Sequence, residues 1–235
     1  MDTKALQLNC RFALPPNSLG YCGKGSAPER FKKCILGKSC RGVRSEIEKF
    51  IVLNPYLETI SELIGKDKYD YQVAEAYWLG NKLLKRIKDK DYNTLLKHFE
   101  KQGVPPWFVD ELRSKKPKKF IPTHLFQVLH VGVGKASGAV PYNMHSINNC
   151  MIRWGRVEVI GKDKLKVDLN SLKKNKNKFK LTKHEGNYVY RKEFIPGLKK
   201  GDYVVVHWKQ VVKKLDNKEI EKLNLWTNEV LSSLY

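Results

Sequence analysis

One cysteine and one histidine carry the clearest chemical signal in the sequence. Cys150 stands directly before residues 151–157, which read MIRWGRV, and His207 ends residues 201–207, which read GDYVVVH. Both stretches have the residue types and the alternation of strands. In a small closed barrel, the residue before the first strand and the residue that ends a late strand can share one rim. Thiolate sulfur and neutral imidazole both suit soft or borderline transition metals, so we expect a metal site at an open rim.

Two further residues complete the predicted metal site. Cys22 lies in a turn bracketed by glycines, and His130 leads into the glycine-containing stretch 131–134, where backbone can approach another element closely. His124 lies six residues before His130, which is not the i, i+4 spacing that best binds one metal from one helix face. We choose His130 of the two. The predicted metal ligands are Cys150, His207, His130 and Cys22.

The order of motifs after residue 149 is that of a known family. Cys150 is followed by Gly155-Arg156-Val157, then by GDYVVVH at 201–207, and then by Lys214-Leu215-Asp216 before a helical pattern. This order resembles the HypC-type chaperones of nickel-iron hydrogenase maturation. Those chaperones open with Met-Cys-x-x-x-Pro-Gly-Lys-Val, continue with Gly-Asp-Tyr-Val-Leu-Val-His and end with Lys-Leu-Asp-Glu-x-Glu-Ala. Trp154 replaces the family's proline, and Cys150 is internal where the family's cysteine is terminal.

The resemblance implies a function for this part of the chain. It implies an accessory protein or metallochaperone that carries an iron fragment on the Cys150 thiolate, with His207 as a second ligand or a neighbouring donor. The implied partners are a hydrogenase large subunit or other maturation proteins. Trp154, Gly155 and Arg156, which stand where the family has Pro-Gly-Lys, are the predicted partner-binding residues.

The N-terminal segment brings a second resemblance and three more cysteines. Residues 11–23, RFALPPNSLGYCG, resemble the opening of an uncharacterised prokaryotic family, and their two prolines predict an ordered turn rather than a helix. Cys10, Cys34 and Cys40 lack zinc-knuckle spacing and are expected to be free thiols. The first residues lack the apolar core of a signal peptide and no apolar run reaches membrane length, so we expect a cytoplasmic protein without a membrane partner.

Charge keeps a second function open. The 235 residues carry a formal net charge of +21, and the excess extends over both halves of the chain. A lysine-rich solvated surface explains this charge, but so does an OB-like barrel that binds RNA or single-stranded nucleic acid. In that alternative the loop 173–178 contacts phosphates, and Tyr188, Tyr190 and Trp208 stack on bases. Enzyme motifs for nucleotide, phosphate or zinc chemistry are absent, which leaves a Cys150 thiol enzyme with His207 as base as a minor alternative.

The overall prediction is an α+β fold. A mainly helical domain with cysteines and histidines spans residues 1–149, and a small OB-like, HypC-like β-barrel with a C-terminal helix spans residues 150–235. Asp70, Asp91 and Asp216 are suited to cap helices. The predicted strands are 154–160, 164–168, 179–181, 187–191 and 203–208.

Overall fold

The structure is an α+β fold in which helices precede a five-stranded sheet. It is a computed structural model that describes residues 3–23, 27–176 and 178–234. A π-helical turn, Gln127–Gly132, continues α8, and short 3-10 turns cover Lys82–Arg86 and Asp89–Asp91. The α-helices are α1 (Thr3–Ser18), α2 (Ala27–Ile35), α3 (Val43–Ile47), α4 (Leu53–Ile64), α5 (Tyr71–Trp78), α6 (Tyr92–Lys101), α7 (Pro106–Ser114), α8 (His124–Phe126), α9 (Met144–Cys150) and α10 (Asn217–Ser233). The strands are β1 (Arg153–Ile160), β2 (Lys164–Asn175), β3 (Lys178–Val189), β4 (Tyr203–His207) and β5 (Gln210–Lys214).

Local hydrogen bonds begin two helices where the sequence predicts them. The Asp70 side chain accepts from the Gln72 N–H at the start of α5. Asp216 and Glu219 form a reciprocal capping box at the start of α10. Each interaction satisfies backbone N–H groups that the first helical turn leaves free. The caps predicted at Asp70 and Asp216 are confirmed, whereas Asp91 makes no side-chain cap bond to α6.

Helix α1 continues through the two prolines, so the turn predicted there is wrong. Pro15 and Pro16 lie in its last turns, and most of the helix is buried. Prolines at these positions cannot donate to the carbonyls of Arg11 and Phe12, four residues earlier. Packing on both sides of the helix outweighs this local cost, as tertiary contacts commonly override propensity. As a result, the carbonyls of Arg11 and Phe12 have no helical N–H donor four residues later and can accept hydrogen bonds from other elements.

The sheet closes on itself in the order β1-β2-β3-β5-β4, with β4 paired again to β1. The closure is irregular because β3 and β5 share one parallel pair, Val189 with Gln210, and two other pairings shift register. Gly155 allows β1 to approach β2, since a Cβ there would lie 1.8 Å from the Asp168 carbonyl oxygen. Strand β5 was not predicted. Strand β3 is continuous where two short strands were predicted, because it pairs with β2 along its whole length.

Helices from both ends of the chain join the two parts of the fold. Arg11 on α1 donates to the carbonyls of Phe194 and Val212, at 2.9 and 3.3 Å, and so attaches α1 to the sheet region. Lys222 on α10 returns to Glu75 on α5 at 2.6 Å. The buried hydrophobic residues form one cluster that runs through helices and sheet. Among the described residues no helix has the length and apolarity needed to cross a bilayer.

Two of the five cysteines are bonded to each other. Cys34 and Cys40 form a disulfide, with their Cα atoms 4.4 Å apart, because the chain turns back after α2. The prediction that both are free thiols is therefore wrong. Cys10, Cys22 and Cys150 remain free. The disulfide lies apart from the site described next, whose wall includes Cys22 and Cys150.

Candidate metal centre

Three elements bring two imidazoles and one thiol together inside the fold. Cys150 ends α9, His207 ends β4 and His124 begins α8, and one donor atom from each lies within 4.8 Å of the others. Cys150 and His207 therefore do converge. They do not meet at an open rim, because all three side chains are at most 4% exposed. The helical part of the chain covers that end of the sheet, which an isolated barrel would leave open.

His207 is held with one ring nitrogen free. Its Nδ1 lies 2.7 Å from the carbonyl oxygen of Phe12, which can only accept, so Nδ1 carries the proton. Burial, reinforced by the nearby His124, holds the pKa of His207 well below its usual range. The neutral ring then leaves a lone pair on Nε2, which is buried and makes no hydrogen bond of normal geometry among the described residues, although the Cys150 backbone lies close enough to raise the pKa of the ring slightly. Pro16 supports this arrangement, since it has no N–H to compete for the Phe12 carbonyl.

His124 makes contacts at both ring nitrogens. Its Nδ1 lies 2.9 Å from the Tyr77 hydroxyl, which also contacts the Gln127 side chain, and its Nε2 lies 2.8 Å from the Cys150 carbonyl oxygen. Burial lowers the pKa of His124 to about 4, so the ring is neutral at pH 7. The Cys150 carbonyl oxygen can only accept, so Nε2 carries the proton of the neutral ring. Metal binding through Nε2 would require this hydrogen bond to break and the proton to move to Nδ1, where the Tyr77 hydroxyl can accept it.

The Cys150 thiol faces this pair of imidazoles. Its Sγ lies 3.8 Å from His124 Nε2. Burial raises the pKa of the thiol well above its usual range, and the indole N–H of Trp208 opposes that effect more weakly. A nucleophilic cysteine needs a lowered pKa and a base that is ready to take its proton. Here burial disfavours both the thiolate and the imidazolium, so the site does not favour the thiol-enzyme alternative.

A cavity of about 460 Å³ lies against the three donors. Its walls include the Cys150, His124 and His207 side chains and two turn segments, 20–23 and 132–140. The volume falls within the range of small-molecule sites. The Trp208 indole closes one side, held by a backbone turn in which Trp208 itself adopts φ +45°. Trp208 and Lys209, both at positive φ, are the two residues of the β4–β5 hairpin turn, for which positive φ at both positions is the usual conformation.

The donor set fits a transition metal. One thiolate and two neutral imidazoles are ligands that zinc, iron, copper and nickel accept. The Phe12 carbonyl that holds His207 Nδ1 has the role that backbone carbonyls commonly have behind metal-bound histidines. The orphaned Nε2 of His207 also gives the site a donor that needs a partner. Three protein ligands beside a cavity would leave room for a further, non-protein ligand.

Two of the four predicted ligands have other positions. His130 lies outside the cluster: its Nε2 is 2.9 Å from the Tyr92 hydroxyl, and its ring stacks on Phe126. His130 is therefore not one of the grouped donors, and His124, which the prediction passed over, is. The two residues occupy different faces of one helical segment, and no local pattern shows which face meets Cys150. Cys22 lies on the cavity wall, where burial raises its pKa to about 12, but it is not one of the three grouped donors.

The predicted partner-binding residues are mostly inaccessible. Trp154 is 1% exposed and packs in the core, and Gly155 lies against β2, so neither can contact a partner from this position. Only Arg156 is exposed. The aromatic residues proposed to stack on bases are also buried, with Tyr188, Tyr190 and Trp208 between 4% and 7% exposed. The alternation of strand residues was correct, but the assignment of the buried face was not.

Comparison with known proteins gives a family but no activity. A model of a family described as "Family of unknown function (DUF6390)" matches residues 1–234. No curated protein and no solved structure matches the chain. The match includes α1, which supplies the Phe12 carbonyl, and the sheet, which supplies His207. The chain therefore belongs to the DUF6390 family.

Proposed function

We propose that this protein holds one transition-metal ion through His124, Cys150 and His207. One observation carries the proposal: among the described residues, the buried Nε2 of His207 makes no hydrogen bond of normal geometry, while its Nδ1 donates to a carbonyl and a thiol and a second imidazole lie within 4.8 Å. A buried polar atom without a partner costs about 1 to 3 kcal/mol, and a bound metal would remove that cost. Binding requires the thiolate form of Cys150, so the metal would displace the thiol proton.

The metal we propose is iron, carried as cargo for a hydrogenase-type client. The support comes from the HypC resemblance, whose cysteine and histidine fall on Cys150 and His207, the two residues that meet in the fold. The closed strand order and the single parallel junction between β3 and β5 also support an OB-like barrel. In this proposal the protein acts in the cytoplasm as an accessory protein. The cavity would accommodate the small ligands of an iron fragment.

The helical part of the chain has a defined task in this proposal. It contributes His124, the Phe12 carbonyl and the two turn segments that wall the cavity. These groups shield the metal from water and add a second imidazole to the Cys150 and His207 pair. The turn segments contain glycines at positive φ, including Gly20, Gly132 and Gly134. Such turns can change conformation with little side-chain resistance, which would let the metal enter and leave.

Metal stoichiometry tests the site. Protein purified without oxygen is incubated with Fe²⁺, Zn²⁺ or Ni²⁺, desalted, and assayed for metal by mass spectrometry. We expect about one metal ion per chain and near-complete loss in Cys150→Ala and His207→Ala. Cys10→Ala and His130→Gln are the controls, because Cys10 is a buried thiol and His130 a partly buried histidine, both outside the cluster. Equal metal retention by Cys150→Ala and Cys10→Ala would refute the site.

A separate experiment tests the client. In a host that makes a nickel-iron hydrogenase, the gene is deleted and restored as wild type or as Cys150→Ala, and radioactive iron in the hydrogenase large subunit is measured. We expect iron incorporation to fall on deletion and to recover only with the wild-type protein. Unchanged incorporation would remove the maturation role and leave the metal site to be judged by its stoichiometry.

A further inference from the structure

A cluster of lysines occupies the end of the β2–β3 hairpin, away from the metal centre. The sequence prediction of a loop over 173–178 is wrong here, because β2 extends to Asn175 and β3 starts at Lys178. Residue 177 lies outside the described residues. Lys176 has φ +51° in the turn between the strands. We name these side chains the lysine arm: Lys173, Lys174, Lys176, Lys178 and Lys180, all of them exposed.

The strand register places like charges beside each other. Lys173 pairs directly with Lys180, and Asn175 pairs with Lys178, so these four residues share one face of the hairpin. Rungs on one face are roughly 7 Å apart. Among the described residues, none of the lysine arm makes an ion pair, although Lys166 and Lys183 nearer the barrel do. Like charges directly opposite one another destabilise a hairpin, and an anionic partner would relieve that repulsion.

The opposite face of the hairpin end carries Phe179 and Leu181, together with the exposed Lys174, which pairs with Phe179. Phe179 and Leu181 are partly buried and, with Leu231 of α10, pack against the core. Phe179 and Leu181 line a groove beside α10, while Lys173, Lys178 and Lys180 belong to the other face of the hairpin. The absence of an exposed apolar side chain in the arm argues against insertion into a membrane surface. Lysine is also depleted at the centres of protein interfaces, which argues against a protein partner.

We propose that the lysine arm binds the phosphate backbone of a nucleic acid. Because Tyr188, Tyr190 and Trp208 are buried and Phe179 is partly buried against the core, the contacts would be electrostatic and independent of base sequence. Binding releases counterions, so the affinity falls steeply with salt. With five lysines on a single strand, the slope of log K against log salt would reach roughly −3.5. This activity is independent of the metal site, and neither proposal depends on the other.

Oligonucleotide binding with a matched charge control tests the arm. A labelled single-stranded DNA of mixed sequence is titrated in fluorescence anisotropy, and the same-length RNA and an anionic phosphatidylserine vesicle are titrated in parallel. One variant changes the five arm lysines to Gln. The control variant changes an equal number of exposed lysines on the helical part to Gln: Lys82, Lys85, Lys90, Lys97 and Lys101.

We expect the arm variant to lose at least about tenfold in affinity and most of the salt slope, while the control variant changes by less than about threefold. Circular dichroism verifies that both variants are folded. Equal losses in the two variants would mean that total charge, and not the arm, attracts the nucleic acid, and would overturn the proposal. Absence of binding by the wild-type protein, or arm-dependent binding to vesicles alone, would overturn it as well.

Discussion

His124 and His130 lie on the same helical segment, and many of their properties match. Each is neutral at pH 7 because burial lowers its pKa to about 4, and each lies 2.9 Å from a tyrosine hydroxyl. Their surroundings differ. His124 lies beside a thiol and a second imidazole, whereas His130 lies against the rings of Phe126 and Tyr92. Burial and a shifted pKa therefore do not identify a ligand histidine. The convergence of several donor atoms does, and the following experiments test that distinction.

The largest expected difference is in metal affinity. His207→Ala removes the donor with the unpartnered Nε2 and should weaken binding by at least about 100-fold. His130→Ala removes a partly buried histidine that is not one of the three donors, and should leave the affinity unchanged. A competition titration with a chelator measures both. A loss in His130→Ala as large as that in His207→Ala would show that the two histidines act through stability alone.

His130 should instead be visible in the pH dependence of folding. Its pKa falls from 6.5 to about 4 on folding, first through burial and then through Lys115. Its contribution to stability is complete above pH 6.5 and is lost as the pH falls towards 4, since the unfolded chain then binds the additional proton. After allowance for partial exposure, wild type should lose about 2 kcal/mol more than His130→Gln between pH 7 and pH 4. Urea unfolding of the metal-free protein measures this difference, and parallel curves would contradict it.

Tyr77 contacts His124 and Tyr92 contacts His130, so the two hydroxyl groups provide a further comparison of these histidines. Tyr77→Phe and Tyr92→Phe each remove one hydroxyl from a histidine and should each cost about 1 kcal/mol of stability. Only Tyr77 orients a proposed ligand, so Tyr77→Phe alone should weaken metal binding, by about tenfold. Chelator competition and thermal unfolding separate the two effects. Equal metal affinity in both variants would mean that Tyr77 does not orient His124.

The smallest expected effect concerns the prolines of α1. Pro16→Ala restores an N–H that can compete with His207 for the Phe12 carbonyl, and metal affinity should fall by about threefold. Pro15→Ala restores an N–H four residues after Arg11, which has no contact with the metal site, so it serves as the control. The two variants should have similar helix content by circular dichroism. Equal metal affinity in the two variants would show that the hydrogen bond from His207 to the Phe12 carbonyl does not contribute to metal binding.

Local interactions explain which parts of the fold could be predicted. The caps at Asp70 and Asp216 depend on bonds within three residues, and the sequence shows them directly. The continuation of α1 through Pro15 and Pro16 depends on packing against distant elements, so local preference gave the wrong answer. The extension of β3 depends in the same way on its pairing with β2.

The candidate site also has one part that the sequence predicted and another part that depends on tertiary packing. The convergence of Cys150 and His207 followed from their places at two strand ends, which the motif order made visible. His124 enters the site from a helix whose orientation is determined by the whole core, and the spacing to His130 gave no reason to prefer it. The helical cover over the barrel end was also not visible in the sequence, so the site was expected to be open. Trp154 shows the same limit, since its strand was predicted and its burial was not.

X-ray absorption at the metal edge tests the central claim most directly. In the loaded protein we predict a first shell with one sulfur at about 2.3 Å and two imidazole nitrogens at about 2.0 to 2.1 Å. Any metal that still binds to the Cys150→Ala variant should have no sulfur in its first shell. The metal bound by Cys22→Ala should keep the sulfur. A shell without sulfur in the wild-type protein, or a sulfur that survives in Cys150→Ala, would contradict the assignment of His124, Cys150 and His207 as the metal ligands.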